Sequence, residues 1–259
     1  MGKLFIREMI ERMIIISNQE IASDIYELTL QGELACLIKE AGQFINILIS
    51  DKLFLRRPFS ICAVNKSQKQ LAILYQVVGE GTKILASKKA GDKIDVFGPL
   101  GKGFPLIDNV QEVLLVGGGI GVAPLYELAK QLHKRNVKVN TVLGFASKAK
   151  VVYESELERC GEVYIATIDG SYGFRGNVIE LIETKKINFK LIYSCGPKAM
   201  LKALQEKYQH IKGYVSIEER MACGIGACYG CSCKPKDMSL PNFRVCKDGP
   251  VFELNEVII

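Results

Sequence analysis

Five cysteines near the C-terminal end of this 259-residue chain are the residues whose spacing most directly implies chemistry. "MACGIGACYGCSCKPKD" carries Cys223, Cys228, Cys231 and Cys233, and Cys246 follows in "FRVCKDGPVF". A C-x4-C-x2-C run with a fourth, distant cysteine is the plant-type ferredoxin spacing, by which four thiolates hold a [2Fe–2S] centre. Cys223, Cys228, Cys231 and Cys246 supply that set, and Cys233 is a surplus thiol. Were Cys233 to replace Cys231, the spacing would become C-x4-C-x4-C, a poorer match. Gly224, Gly226 and Gly230 let such a loop wrap closely and aim backbone N–H groups at sulfur. Zinc is the main alternative, but structural zinc sites more often use paired C-x2-C knuckles, and Cys246 stands alone with no histidine nearby. Disulfides fit an oxidising compartment. The N-terminal apolar run Met13–Ile16 is too short for a signal peptide, and Glu8 and Glu11 interrupt what precedes it. Ile6 stands where a myristoylation pattern needs Ser or Thr. A soluble, cytoplasmic protein with reduced thiols is the expectation.

A second stretch with chemical content is "VLLVGGGIGVAPL" (113–125), which sets Gly117, Gly118, Gly119 and Gly121 between a strand and a helix. Glycines let a backbone approach a pyrophosphate, and a helix start offers free N–H groups and a positive dipole end. Pro124 sits early in the helix, where its missing N–H costs little. The strict G-x-G-x-x-G pattern is not met, because Val122 or Pro124 takes the last position. A tight connection without a nucleotide is the plain alternative. After the next strand, "GFASKAK" (144–150) offers no acidic group for a ribose hydroxyl. It has Ser147, Lys148 and Lys150 instead, and the lysines suit a 2′-phosphate, so the loop leaves NAD and NADP both open.

Two kinds of architecture must position these loops. Residues 12–106 read as short strands such as "IASDIYELTLQG", "GQFINILIS" and "QLAILYQVV", with turns at Ala41-Gly42, 65–70, Ala90-Gly91-Asp92 and 98–105. They predict a small antiparallel barrel or sandwich interrupted by one helix over 81–91. From about residue 110 strands alternate with helices, the pattern of a doubly wound parallel sheet. The expected units are a β-barrel over 1–106, an α/β nucleotide-binding domain over 107–212 and a cysteine module over 213–259. The module has little regular pattern and is expected to depend on bound metal for its fold. Apolar residues are 48% of the chain and charged residues 24%, so a packed core is expected. The net charge of +6 is dispersed, which favours anionic nucleotides over nucleic acid. The most apolar stretch, 113–125, is short of the roughly 20 residues that span a bilayer.

A barrel containing "RRPFSI", then a doubly wound domain with "GGGIGVAPL" and "CGP", resembles the ferredoxin–NADP reductase superfamily. The resemblance implies FAD held by Arg57, Pro58, Phe59 and Ser60, the arginine at a flavin phosphate and Ser60 near the flavin N5. From "LYQVVGEGT" it implies Leu74, Tyr75 and Gln76 along the flavin and Gly81 and Thr82 at the pyrophosphate. It places Cys195, Gly196 and Pro197 beside a nicotinamide. "EERMACGIGACYGC", "CKDGPVF", "GPLGKGF" and "DGSYGFRG" narrow the likeness to the electron transfer subunit of the class 1B, NAD-dependent dihydroorotate dehydrogenase, over nearly the whole chain except about the first ten residues. That family implies FAD, one [2Fe–2S] centre, NAD as outside acceptor, and an FMN-containing catalytic subunit in an α2β2 heterotetramer serving pyrimidine biosynthesis.

The parts also make chemical sense together. Nicotinamides exchange electron pairs as hydride, iron–sulfur centres exchange single electrons, and a flavin does both. No Ser/His/Asp set or carboxylate dyad is found, and such a converter needs none. Cys36, Cys62 and Cys160 read as core fillers, and His133 and His210 lie on polar helical stretches. Tyr75 also reads as a plain barrel aromatic, and Arg57 beside Arg56 as a solvated pair. The competing functions are a flavin and iron–sulfur subunit of a sulfur-reducing hydrogenase or of an NAD-dependent ferredoxin:NADP reductase, and a nucleotide-binding module with a structural zinc tail. Nucleic-acid binding through Lys234, Lys236 and Arg244 has little support, because few aromatics sit between them.

Overall fold

The structure is a computed structural model that describes residues 9–259, so the expectations about Ile6 and Glu8 lie outside the described residues. The first unit comprises β1 (Met9–Ala22), β2 (Ile25–Gln31), a one-turn helix α1 (Leu34–Leu37), β3 (Phe44–Leu48), β4 (Arg57–Asn65), β5 (Gln70–Gln76), α2 (Glu80–Ala86) and β6 (Lys93–Leu100). The six strands close into an antiparallel barrel of order β1-β2-β5-β4-β3-β6. Alternation drives it: Met13, Ile15, Leu28, Leu30, Ile45, Ile47, Ile73 and Val96 point inward and form one core. Closure leaves the barrel without exposed strand edges. Helix α2 stops at Ala86, short of the expected 91, because Asp92 Oδ2 accepts from Lys89 N at 2.8 Å and turns the chain into β6.

The second unit runs β7 (Glu112–Gly118), α3 (Val122–Lys134), β8 (Lys138–Phe145), α4 (Glu154–Glu158), β9 (Glu162–Thr167), β10 (Phe174–Arg175), α5 (Val178–Lys185), β11 (Leu191–Cys195), α6 (Lys198–Lys207) and β12 (Lys212–Ser216). The sheet order is β10-β9-β8-β7-β11-β12, all parallel. Local chemistry sets the element ends. Asn177 caps α5 by accepting from Ile179 N (2.9 Å) and Glu180 N (3.0 Å), while Glu180 accepts from Asn177 N at 3.0 Å. The helix expected from "YESELERCG" is only the five residues of α4, entered through Tyr153 in a left-handed conformation.

Helix α3 joins the two units. Its buried face (Leu125, Leu128, Ala129, Leu132) covers the sheet, and it also packs on β4 of the barrel. There the buried Glu127 accepts from Val64 N at 3.1 Å and from Lys130 Nζ at 2.7 Å. Lys150 donates to Ser23 O at 2.7 Å and lies 3.2 Å from Asp24 Oδ2. That side chain ties the sheet domain to the barrel, which withdraws it from the 2′-phosphate role its sequence position suggests.

The tail is more regular than its composition predicts. Short strands β13 (Ser232–Cys233) and β14 (Phe243–Arg244) pair with each other. Strand β15 (Val251–Glu253) returns antiparallel to β12 and completes a seven-stranded sheet. Residues 212–216 and 251–253 therefore belong to the sheet on both sides of the cysteine loop.

Candidate functional site

Strand order fixes where a ligand fits. The chain runs outward from β7 through β8 and β9, then crosses back to β11 and β12, so the sheet reverses between β7 and β11. Ligands bind outside the carboxyl ends of strands at such a switch point. Gly117 of β7 is paired with Cys195 of β11, so the two glycine turns, separated by 78 positions in sequence, meet there. The approach is tight. A methyl at Gly121 would stand 2.4 Å from Cys195 O, and one at Gly118 would stand 2.6 Å from Pro197 Cδ. Gly119 differs: its φ is +54° and nothing lies within 4 Å of its missing side chain, which leaves that backbone open to the cleft.

Two adjoining cavities occupy this region. The larger, about 1030 Å³, lies between the barrel and the switch point. Of the sequence-predicted flavin residues, Arg57, Pro58, Phe59, Ser60, Leu74, Tyr75, Gln76 and Thr82 line it. Gly81 does not, although a methyl there would lie 3.6 Å from Arg57 Nε. The smaller, about 320 Å³, is lined by Gly118, Gly119, Gly121, Gly196 and Pro197. Gly117 and Cys195 stand behind its wall, the Cys195 thiol fully buried against Ser216. Burial pushes that thiol well above the ordinary range. The cavities share Gln76, Ile120, Ile217, Glu218 and Glu219 as a common wall.

The polar groups of the larger cavity suit an anionic, aromatic ligand. Arg56 is held by Asp95 at 2.7 Å, whereas Arg57 pairs with no carboxylate among the described residues and keeps its charge for the cavity. The Ser60 hydroxyl, in β4 opposite Phe44 of β3, makes no side-chain hydrogen bond among the described residues. Thr82 Oγ1 accepts from Val78 N (2.9 Å) and Gly79 N (3.1 Å) and so shapes the turn before α2. Tyr75 is both wall and core: its hydroxyl donates to Asn18 Oδ1 at 2.8 Å, and its ring stacks on Tyr26 at 5.4 Å. A mostly apolar cleft with two cations, Arg57 and Arg220, that pair with no carboxylate among the described residues, and with a few aimed hydroxyls, near the upper end of ordinary ligand cavities, fits FAD.

Sequence reasoning missed Glu218. It lies two residues beyond the end of β12 and is exposed to the cleft at the junction of both cavities. Loss of solvation raises its carboxyl above the ordinary value of 4.5. A strand-end glutamate in "VSIEER" carries no local signal; its place is set by the tertiary fold.

The cysteine loop follows within two residues of that wall, since Ser216–Met221 line the larger cavity and Cys223 comes next. Every one of the four expected ligands accepts a backbone N–H. Cys223 Sγ accepts from Ala227 N (3.3 Å) and Cys228 N (3.4 Å), Cys228 Sγ from Gly230 N (3.5 Å), Cys231 Sγ from Cys246 N (3.4 Å) and Cys246 Sγ from Gly226 N (3.1 Å). Burial pushes the Cys223 thiol up, but these amides and the Cys228 thiol outweigh it and lower it to about 6. Cys246 lies against Cys231 and is pushed up to about 12, burial first. The thiols thus form two pairs, Cys223 with Cys228 and Cys231 with Cys246. Among the described residues no three Cys, His, Asp or Glu groups converge as the ligands of one ion would. Two pairs ringed by N–H donors fit a two-iron centre, in which each iron takes two thiolates. Cys233 accepts no such bond among the described residues. It is buried in the core, its thiol pushed to about 11 by burial and by Glu219, and it lines the smaller cavity. Arg244 braces the loop, donating to Gly226 O (3.2 Å) and, through two nitrogens, to Asp248 at 3.0 and 3.2 Å. Its charge is thereby neutralised, which removes one of the three cations behind a nucleic-acid reading.

The comparisons agree with this geometry. The model of the iron–sulfur cluster binding domain of dihydroorotate dehydrogenase B matches residues 218–258, and that of the oxidoreductase NAD-binding domain matches residues 115–206. The dihydroorotate dehydrogenase B (NAD(+)) electron transfer subunit of Geobacillus thermodenitrificans is 50% identical over 253 residues, covering 96% of this chain and 98% of the relative. The chain belongs to that family of electron transfer subunits. The Bacillus cereus subunit is 47% identical over 255 residues with the same coverage. A solved structure of an NADH-dependent reduced ferredoxin-NADP oxidoreductase, described for flavin-based electron bifurcation, is 30% identical. It superposes with a TM-score of 0.88 over 96% of this chain and 90% of its own. Phthalate dioxygenase reductase, 22% identical with a TM-score of 0.63 over 78% of this chain and 64% of its own, shares the fold. The subunit is an NAD-linked flavin and iron–sulfur oxidoreductase of ferredoxin reductase-like fold, with FAD, [2Fe–2S] and NAD as its cofactors.

Proposed function

We propose that this subunit carries electrons from an FMN-containing catalytic partner that oxidises dihydroorotate to orotate, and delivers them to NAD. Dihydroorotate gives up two electrons and two protons, NAD takes two electrons and one proton, and one proton is released. Bound FAD supplies the exchange between electron pairs and single electrons. Within the chain, Arg57 would neutralise its phosphates, Ser60 would present a hydroxyl to its ring, and Leu74, Tyr75 and Gln76 would wall it. Gly81 and Thr82 would form the turn at its pyrophosphate. Gly117–Gly119, Gly121 and the Cys195–Pro197 turn would shape the nicotinamide cleft. Cys223, Cys228, Cys231 and Cys246 would hold the [2Fe–2S] centre. The functional division we propose is 1–106, 107–212 and 213–259, with β12 and β15 as the strands that would moor the third unit to the second.

The observation that carries this reading is the pairing of four N–H-bonded thiols in a loop that begins two residues beyond the wall of the larger cavity. Cys228 is exposed, and Ile225, Tyr229, Met238 and Leu240 are exposed apolar side chains of the same module, which suits contact with the catalytic partner. The family resemblance supports an α2β2 assembly. The five cysteines outside the ligand set, none of them in a disulfide among the described residues, support a cytoplasmic setting.

The test uses the complex, purified without oxygen, with Cys228→Ser. Dihydroorotate-dependent NAD reduction should fall at least tenfold, while NADH oxidation by an artificial acceptor that takes electrons from flavin persists. Undiminished NAD reduction by the variant would overturn the assignment.

A further inference from the structure

Asn46 is the most anomalous polar side chain of the barrel. It lies in β3 between Ile45 and Ile47, which face the barrel core, so it points outward. Its strand neighbours are Pro58 of β4 and Phe97 of β6. An outward asparagine on a small barrel normally meets water. This one is 1% exposed, and neither Oδ1 nor Nδ2 has a hydrogen-bond partner among the described residues.

What covers it is the cysteine loop. A methyl at Gly224 would stand 2.3 Å from Asn46 Nδ2, and Gly224 has φ +73°. The glycine therefore serves two ends: it takes a left-handed turn and leaves room for the amide. Phe44 and Leu100 on the same outer surface pack in one cluster with Cys231 and Cys246. Asn46 does not line the larger cavity, so the flavin cleft is not where its amide is aimed.

Buried amides are almost always satisfied by protein, water or ligand. Here Gly224, next in sequence to the first ligand cysteine, covers the amide, and the backbone N–H groups of Gly226, Ala227, Cys228, Gly230 and Cys246 in the same module point at cysteine sulfur. We propose that the Asn46 side-chain amide donates a hydrogen bond to the iron–sulfur centre, at the Cys223 thiolate or an adjoining sulfide. The barrel thus supplies one donor to a centre held by the C-terminal module. Hydrogen bonds to cluster sulfur stabilise the reduced, more negative form and raise its potential. Asn46 is a positioning and tuning residue. The inference rests on the four cysteines holding a two-iron centre, and iron and sulfide content test that separately.

The test is Asn46→Leu, similar in volume but without a donor, in the purified complex. Iron and acid-labile sulfide should stay at two each per chain. The equilibrium constant for one-electron reduction, read by EPR-monitored titration, should fall about tenfold, which is about 59 mV downward. An unchanged potential with full iron would overturn the proposal and leave a buried water as the amide's partner. If the leucine variant fails to load iron, two measurements decide. Asn46→Asp keeps the shape, and its potential should become pH-dependent, falling below wild type as the buried carboxyl ionises. Wild-type protein labelled with 15N in its asparagine side chains should show a nitrogen coupling to the reduced centre, and its absence would equally refute the idea.

Discussion

The closest backbone approach at the switch point gives the sharpest test of the architecture. Gly121 has an ordinary helical backbone (φ −62°), so alanine there carries no conformational penalty. The cost is steric. A Cβ would stand 2.4 Å from Cys195 O, 2.6 Å from its carbonyl carbon and 2.7 Å from Gly196 N. Ordinary contact begins near 3.4 Å, so the methyl intrudes by about 1 Å. The obstacle is the end of β11, which is hydrogen-bonded between β7 and β12 and cannot rotate aside as a side chain would. The start of α3 must move instead. Overpacking of this kind costs about 1–3 kcal/mol. At about 2–4 °C per kcal/mol for a chain of this size, Gly121→Ala should lower Tm by roughly 2–12 °C.

The same shift displaces Gly118 and Gly119 relative to Gly196 and Pro197, the walls of the smaller cavity. A 1 Å error in positioning costs up to about a hundredfold in rate. NADH oxidation with an artificial acceptor should therefore lose ten- to a hundredfold in kcat/KM. Gly79→Ala is the control, because its backbone is extended and nothing lies within 4 Å of the added methyl. Its Tm should hold or rise slightly through the stiffer unfolded chain. A Gly121→Ala protein with wild-type Tm and kcat/KM would refute the idea that this approach sets the nicotinamide cleft.

Two further outcomes are expected. Glu218→Gln should be more thermostable than wild type at pH 8 but not near pH 4.5: the folded chain holds this carboxyl above its ordinary value, so the cost of ionising it is absent below that pH and grows as pH rises through the folded value. Melting curves that differ equally at both pH values would contradict it. Cys233→Ser should keep full iron and sulfide while losing about 2 kcal/mol from a buried hydroxyl without a partner, seen as a lower Tm; loss of iron would mean that Cys233 is a ligand.

What the sequence disclosed and what it hid divide along a physical line. Glycine and cysteine spacings act through a few bonds of backbone, so "GGGIGVAPL" and "CGIGACYGC" were legible without tertiary information. The barrel and the sheet were legible because their periods differ. Arg56 and Arg57 were not separable until Asp95, 39 positions after Arg56, took one of them. Lys150 looked free because its partners, Ser23 and Asp24, lie about 126 positions away. Asn46 looked like an ordinary outward polar residue in "FINIL", because only the fold places Gly224 over it. Strand β15 escaped notice for another reason: three residues carry too little period to read.

That last strand bears on how the cysteine module is held. A loop rich in glycine and cysteine is expected to take its shape from metal. Here both of its ends are fixed by the sheet: β12 leads into it, and β15 leads out and pairs with β12 through Tyr214–Glu253, Val215–Phe252 and Ser216–Val251. Val257 and Leu254 are buried, and Gln205 donates to Val257 O at 2.9 Å, so the chain stays anchored beyond β15. Metal is then expected to order the segment between, about 223–246, while the strands bring that segment to the barrel. The consequence is directional. Electron transfer depends on a fixed separation between centres, and that separation is set by strands whose pairing lies within the sheet itself. Chelation should therefore melt the loop's own contacts, Arg244 with Gly226 and Asp248 among them, while leaving β12 and β15 protected from hydrogen exchange.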